Sequence, residues 1–231
     1  FAVTMIGGPI ANNYASIINM VLKTETTKTI GDAGETYFEA DYASAAEQEK
    51  AAQEICETAE ANGATLLLNR KNALPLAQGA KVSLFGTGSA DFVYGGTGSG
   101  SVDSSKALNL KDALEADGFS VNPTVWNFYT TGAGKGYRRQ LAPGSLNNYI
   151  FDNSGYLINE VPQSVFTDTE WASVADYGDA AIMVVSRVCG EGSDLPWFGT
   201  GDGDGNILSL SQEERDILKK LADLKAAGQV K

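Results

Sequence analysis

Residues Ala180 to Asp194 read AAIMVVSRVCGEGSD, and the two halves of this stretch differ in chemistry. Ala181-Ile182-Met183-Val184-Val185 is an uninterrupted apolar run. With no polar alternation, such a run suits a strand buried on both faces of a parallel sheet. Gly190-Glu191-Gly192-Ser193-Asp194 then changes the character abruptly. Two glycines let the backbone turn sharply beside one carboxylate. In open α/β sheets, ligands collect beyond the carboxyl ends of the strands. Glu191 is therefore expected where such a protein does its chemistry. The plainer reading is a surface loop with a solvated glutamate.

Working outward, the flanking segments alternate between the two periodicities. Lys81-Val82-Ser83-Leu84-Phe85 reads as a strand running into Gly86, and the glycine-rich segment from Gly86 to Gly100 follows it. Ser104 or Ser105 is expected to cap a helix whose apolar face is Ala107, Leu110 and Leu114, and Gly118 stops it. Phe119-Ser120-Val121 starts the next strand. Strand, glycine loop, helix, strand is a βαβ unit, which implies a parallel sheet with a right-handed crossover. Upstream, Ala43 to Asn62 suits a helix stopped by Gly63, and Ala64-Thr65-Leu66-Leu67-Leu68 reads as a short apolar strand. Residues 11 to 22 have apolar positions at helical spacing and read as an amphipathic arm, and residues 23 to 34 as an extended connector. Trp126 to Tyr149 reads as irregular, and Trp171 to Tyr177 as a short helix. Ser211-Gln212-Glu213-Glu214 is a capping-box pattern that opens a helix through Ile217, Leu218, Leu221 and Leu224. A further strand is due after Gly228, so the sheet is expected to be truncated at its C-terminal end. The fold expected is α/β: a three-layer α/β/α sandwich with a mostly parallel sheet, in which an arm and connector occupy residues 1–42 and the sandwich residues 43–231.

Composition excludes several chemistries. The 231-residue chain holds no histidine, which removes Ser/His/Asp and Cys/His catalysis and the commonest zinc ligand sets. Cys56 and Cys189 are the only cysteines and cannot build a disulfide framework or, without histidine, a metal site. A net charge of −12 argues against nucleic-acid and anionic-membrane partners, while leaving neutral ligands such as sugars open. The apolar pieces near Phe1 to Ile10 are too short to span a bilayer. The chain begins at Phe1 rather than Met, which suits a processed product or a fragment with an upstream signal or anchor. A cytoplasmic location and a cell-surface or secreted one both fit two cysteines.

Taken together, these segments resemble the α/β-sandwich domain of family 3 glycoside hydrolases, and bacterial β-glucosidases most. The matching pieces occur in the family's order: Ala64-Thr65-Leu66-Leu67-Leu68-Asn69 with Leu74-Pro75-Leu76; Lys81 to Gly86; Tyr94-Gly95-Gly96-Thr97-Gly98-Ser99-Gly100; and Ser186-Arg187 through Gly190-Glu191-Gly192 and Asp194. The residues before Glu54 are similar to the subgroup in which the sandwich precedes a (β/α)8 barrel. The resemblance implies a retaining mechanism, which needs two carboxyl groups about 5 Å apart. It assigns the general acid/base to Glu191. Such an acid needs an elevated pKa, from burial or a neighbouring carboxylate. The family's nucleophile is an aspartate of the barrel, usually in an SDW motif, and no SDW occurs in this chain. The chain is thus expected to carry half an active site, to be inactive alone, and to partner the barrel of the same polypeptide, or to self-associate or be complemented by another fragment. Its substrate would be a β-glucoside or oligosaccharide. Thr97 and Ser99 are candidate substrate contacts against a plain turn. Asp194 is a candidate contact or loop brace, and Trp197 a stacking surface against simple packing. Arg187 reads as structural, pairing near the sheet end. No cofactor and no metal is implied.

Two other classes compete. Gly86-x-Gly88 after a strand is a partial dinucleotide fingerprint, the feature behind an alternative Rossmann-like nucleotide-binding module. Asp91 stands where the third glycine belongs and would repel a pyrophosphate. Asp202, Asp204, Asn206 and Glu213 have the spacing of a calcium loop, but Ile207 stands where that loop needs glycine.

Overall fold

The computed structural model describes residues 14, 15, 18, 22, 41–95, 102–105, 107–138, 140, 141, 156, 157, 159–187 and 209–231. The chain divides into two compact units, residues 1–67 and 68–231.

In the first unit, Ala15, Ile18 and Leu22 are helical, and the Ile18 N–H donates to the Tyr14 carbonyl at 2.9 Å. Helix α1 spans Ala45–Gly63. Ser44 caps it by accepting from the Glu47 N–H at 3.2 Å, which satisfies one of the free donors of the first turn. No residue of α1 is buried. The expected strand at 64–68 does not form: the segment has no ladder partner among the described residues, and Leu67 is 91% exposed. An apolar run becomes a strand only when a neighbour completes its hydrogen bonds.

The second unit holds the sheet. Strand β1 is Lys81–Phe85, helix α2 Thr87–Ala90, helix α3 Leu110–Ala116 and strand β2 Ser120–Val121. Helix α4 is Pro123–Thr130, strands β3 and β4 are Gln140–Leu141 and Tyr156–Leu157, and helix α5 is Asp168–Ser173. Strand β5 is Ala180–Met183 and helix α6 is Gln212–Ala226. Among the described residues the main sheet is parallel in the order β2-β1-β5, with Lys81 opposite Ser120 and Phe85 opposite Met183. β3 and β4 pair antiparallel on their own.

Helices cover both faces, so the α/β sandwich expected from the sequence is the fold observed. The pleat of β1 sends Val82 and Leu84 to one face, where they pack with Val121 and with Leu110 and Leu114 of α3. Phe85 goes to the other face, with Val125, Phe128 and Tyr129 of α4 and Ile217, Leu221 and Leu224 of α6. Each fully buried side chain of this size contributes roughly 1.5–3 kcal/mol. Phe166 is the hub of that second face: its ring centroid lies 4.1 Å from Phe128, 4.7 Å from Trp171, 5.8 Å from Tyr129 and 6.3 Å from Phe85.

Three local readings are corrected. β1, not the run after Ala180, is the inner strand, and β5 is only half-buried because it has a strand partner on one side alone among the described residues. The cap of α3 is Asn109 rather than Ser104 or Ser105, and its side chain accepts from the Asp112 N–H at 2.9 Å. The segment after Val121 is a helix where irregular chain was expected. Asn122 caps α4 and Pro123 opens it, because proline's fixed φ and missing N–H suit the first helical position. Asn122 is fully buried yet satisfied: its oxygen takes the Thr124 and Val125 N–H groups, and its amide donates to Ser83 Oγ and Ser173 Oγ, both at 3.0 Å. The capping box of α6 is as expected, with Ser211 and Glu214 bonding reciprocally.

Candidate functional site

The carboxyl ends of β1 and β5 lie side by side, and buried polar groups gather there. After Phe85 the chain turns at Gly86, whose φ of +86° is a conformation side-chain-bearing residues rarely adopt. A Cβ on Gly86 would also sit 2.5 Å from the Val184 carbonyl oxygen. The glycine thus lets the turn lie against the end of β5.

Both amides of this turn are taken by side chains. The Gly86 N–H donates to the Tyr129 hydroxyl at 2.9 Å, and the Thr87 N–H donates to Glu160 Oε2 at 2.7 Å. Glu160 Oε1 accepts from the Thr87 hydroxyl at 3.1 Å and from the Val161 N–H at 2.9 Å. Glu160 is a buried carboxyl, and burial pushes its pKa above the usual carboxylate range. The hydrogen bonds from Val161 and Thr87 pull it down, and the charge of Glu214 pushes it up again. Burial first, and Glu160 second, push the Tyr129 phenol well above its ordinary value, so it stays protonated.

Beyond β5, Arg187 forms a two-toothed bond to Glu214 on α6, with Nη1 to Oε1 at 2.9 Å and Nη2 to Oε2 at 2.8 Å. Glu214 is nearly buried, its side chain 3% exposed. The same carboxylate accepts from the Ser211 N–H at 2.7 Å, so one side chain closes a helix cap and an ion pair. Arg187 Nη2 also donates to the Ser209 carbonyl at 2.9 Å. Arg187 is therefore structural, as its place in the sequence implied, and it ties the end of β5 to the start of α6.

Of the candidates named from the sequence, Glu191, Asp194, Thr97, Ser99 and Trp197 lie outside the described residues, as do Asp202, Asp204 and Asn206 of the calcium-loop spacing. The segments that lead to them are described. The Phe92 and Tyr94 rings stand 5.4 Å apart and partly exposed, and the Tyr94 hydroxyl donates to the Leu108 carbonyl at 2.9 Å. Among the described residues no cluster of His, Cys, Asp or Glu could hold a metal ion, and no helix is long and apolar enough to cross a membrane. Glu160 and Tyr129 escaped the sequence reading: their partners are 73 and 43 residues away, and no local spacing marks them. The Rossmann-like alternative gains no support. The amides at Gly86 and Thr87 that would cradle a phosphate already bond a phenol and a carboxyl group.

An open parallel sheet covered by helices on both faces, with its polar cluster at the carboxyl ends of the strands, defines an α/β domain of the kind that contributes a site at that edge. Residues 64–229 match the model of the glycosyl hydrolase family 3 C-terminal domain, and the chain belongs to that family. It is 34% identical over 141 residues to beta-glucosidase A of Butyrivibrio fibrisolvens, covering 60% of this chain and 15% of that protein. It is similar to the structure of beta-glucosidase 3B from Thermotoga neapolitana in complex with alpha-D-glucose, with a TM-score of 0.58 and 26% identity over 79% of this chain and 23% of that one. A beta-glucosidase structure from Paenibacillus barengoltzii gives a TM-score of 0.55 and 26% identity over 74% of this chain and 17% of that one. The chain thus spans about a seventh to a quarter of the length of these relatives.

Proposed function

We propose that this chain is the part of a retaining β-glucosidase-type hydrolase that supplies the general acid/base, Glu191, to an active site shared with a (β/α)8 barrel. The observation that carries the reading is the Arg187 clamp. Its guanidinium joins the point where the chain leaves β5 to Ser209 and Glu214, where it re-enters α6. In sequence Glu191 belongs to the segment between those fixed points, and the described end of β5 that leads into it lies at the sheet edge where α/β domains place ligands.

In this reading Glu191 protonates the leaving oxygen and then deprotonates the attacking water. Asp194, Thr97 and Ser99 contact the sugar, and Trp197 stacks on the ring beyond the scissile bond. The nucleophile is an aspartate of the barrel about 5 Å from Glu191, since the SDW motif that carries it in the family does not occur in this chain. The isolated chain should therefore leave 4-nitrophenyl β-glucoside uncleaved. If the isolated chain turned the substrate over and Glu191→Gln abolished that turnover, the half-site reading would be wrong.

A further inference from the structure

The Thr87 hydroxyl has two possible acceptors. It lies 3.1 Å from Glu160 Oε1 and 3.3 Å from the Asn159 carbonyl oxygen. A hydroxyl has one proton and so donates to one of them at a time, while its lone pairs can accept from a third group. We propose that Thr87 and Glu160 form a two-state proton site that sets the turn leaving β1, so that one buried proton positions the chain running from Thr87 to Gly95.

The two states balance in atoms and bonds. With Glu160 ionised, its carboxylate accepts from the Thr87 hydroxyl, the Thr87 N–H and the Val161 N–H. When a solvent proton adds to Oε1, the new O–H donates to Thr87 Oγ1. The Thr87 hydroxyl then rotates and donates to the Asn159 carbonyl. The Thr87 N–H bond to Oε2 and the Val161 N–H bond to Oε1 persist in both states, and both weaken when the carboxyl group loses its charge. In each state the Thr87 hydroxyl and the Glu160 carboxyl group keep a hydrogen-bond partner, so the fold tolerates both. Asn159 is itself held, its amide donating to the Arg138 carbonyl at 3.0 Å, which keeps the alternative acceptor in place.

Among the described residues, Tyr129 and Glu214 are the titratable groups that face Glu160. Tyr129 faces it from α4 and stays neutral, with its hydroxyl on the Gly86 N–H. Glu214 faces it from α6, and its charge is forked to Arg187 from the end of β5. The environment therefore favours uptake of a proton by Glu160 above the pH at which an exposed glutamate takes one up. Glu160 acts through Thr87 and touches no substrate in this scheme. It is a positioning residue for the loop that leads to Thr97 and Ser99. That last consequence alone rests on the glycosidase reading.

The test is a pH titration of the labelled 231-residue chain by NMR, following the Glu160 carboxyl carbon and the amides of Thr87, Gly88, Ser89 and Val161. The expected result is one shared midpoint above the ordinary glutamate value of about 4.3. The Glu160→Gln variant should lose that transition at every one of these amides, Thr87→Ser should keep it, and Thr87→Val should move its midpoint. A carboxyl that titrates in the ordinary range, turn amides that do not share its midpoint, or an unmoved midpoint in Thr87→Val would overturn the proposal. If Glu160→Gln does not fold, the wild-type chain and the two Thr87 variants decide it. No turnover is measured, so a negative result here leaves the glycosidase reading standing, and failure of that reading leaves this site intact.

Discussion

At the scale of single residues, the sheet edge depends on a few buried polar side chains whose partners are distant in sequence. Removing one partner of a buried, hydrogen-bonded ion pair strands the other, at a cost of about 3–5 kcal/mol. Arg187→Ala and Glu214→Gln should each destabilise the chain, with Arg187→Ala at the larger end, measured by chemical denaturation. Glu214→Gln can keep its oxygen on the Ser211 N–H, but it replaces the other arm of the fork with a donor that Arg187 cannot bond. Tyr129→Phe leaves the Gly86 N–H unpartnered in a buried place and should cost about 1–3 kcal/mol in the same assay. For Glu160 the folded value lies above the unfolded one. Its contribution to stability is then complete below about pH 4.3 and is lost as pH rises through the folded value. Against Glu160→Gln, the wild-type chain should lose stability over that window and level off above it. These residues were the least legible part of the sequence. Glu214 was visible as a cap, because Ser211 stands three positions before it, but its fork to Arg187 spans 27 residues and has no local signature.

At the scale of elements, legibility followed local chemistry. Lys81–Phe85 and the helix opened by Ser211 were plain, because their apolar periodicity and capping residues lie within the elements themselves. Helix α4 was hidden by the aromatic run Trp126 to Tyr129, although Asn122-Pro123 is a helix-opening pair. The apolar run 64–68 reads as a strand because sequence shows hydrophobicity and not the neighbour a strand requires. The elements are joined at specific points, which mutation can expose. Phe166 holds the aromatic contacts between β1, α4 and α5, and Phe166→Ala should cost about 3–5 kcal/mol by denaturation. Gly86→Ala meets both an unfavourable φ and the Val184 carbonyl, and should cost at least about 2 kcal/mol.

At the scale of the whole molecule, the order of the sequence motifs resembles that of the family to which the chain belongs. The family model matches residues 64–229, and both structural relatives share the fold. The layered α/β architecture was legible because βαβ units constrain topology strongly. How the proposed active site would be completed was not, since no spacing within one chain specifies a carboxylate supplied by another domain. In the proposed reaction Glu191 works as a general acid/base beside a nucleophile supplied from outside. The most direct measurement places this chain with a family 3 barrel in one polypeptide and compares hydrolysis of an aryl β-glucoside before and after Glu191→Gln. The expected result is a loss of about 10²–10⁴-fold in turnover, smallest for the best leaving groups, because these need least protonation. Turnover unchanged by Glu191→Gln across all leaving groups would contradict the claim.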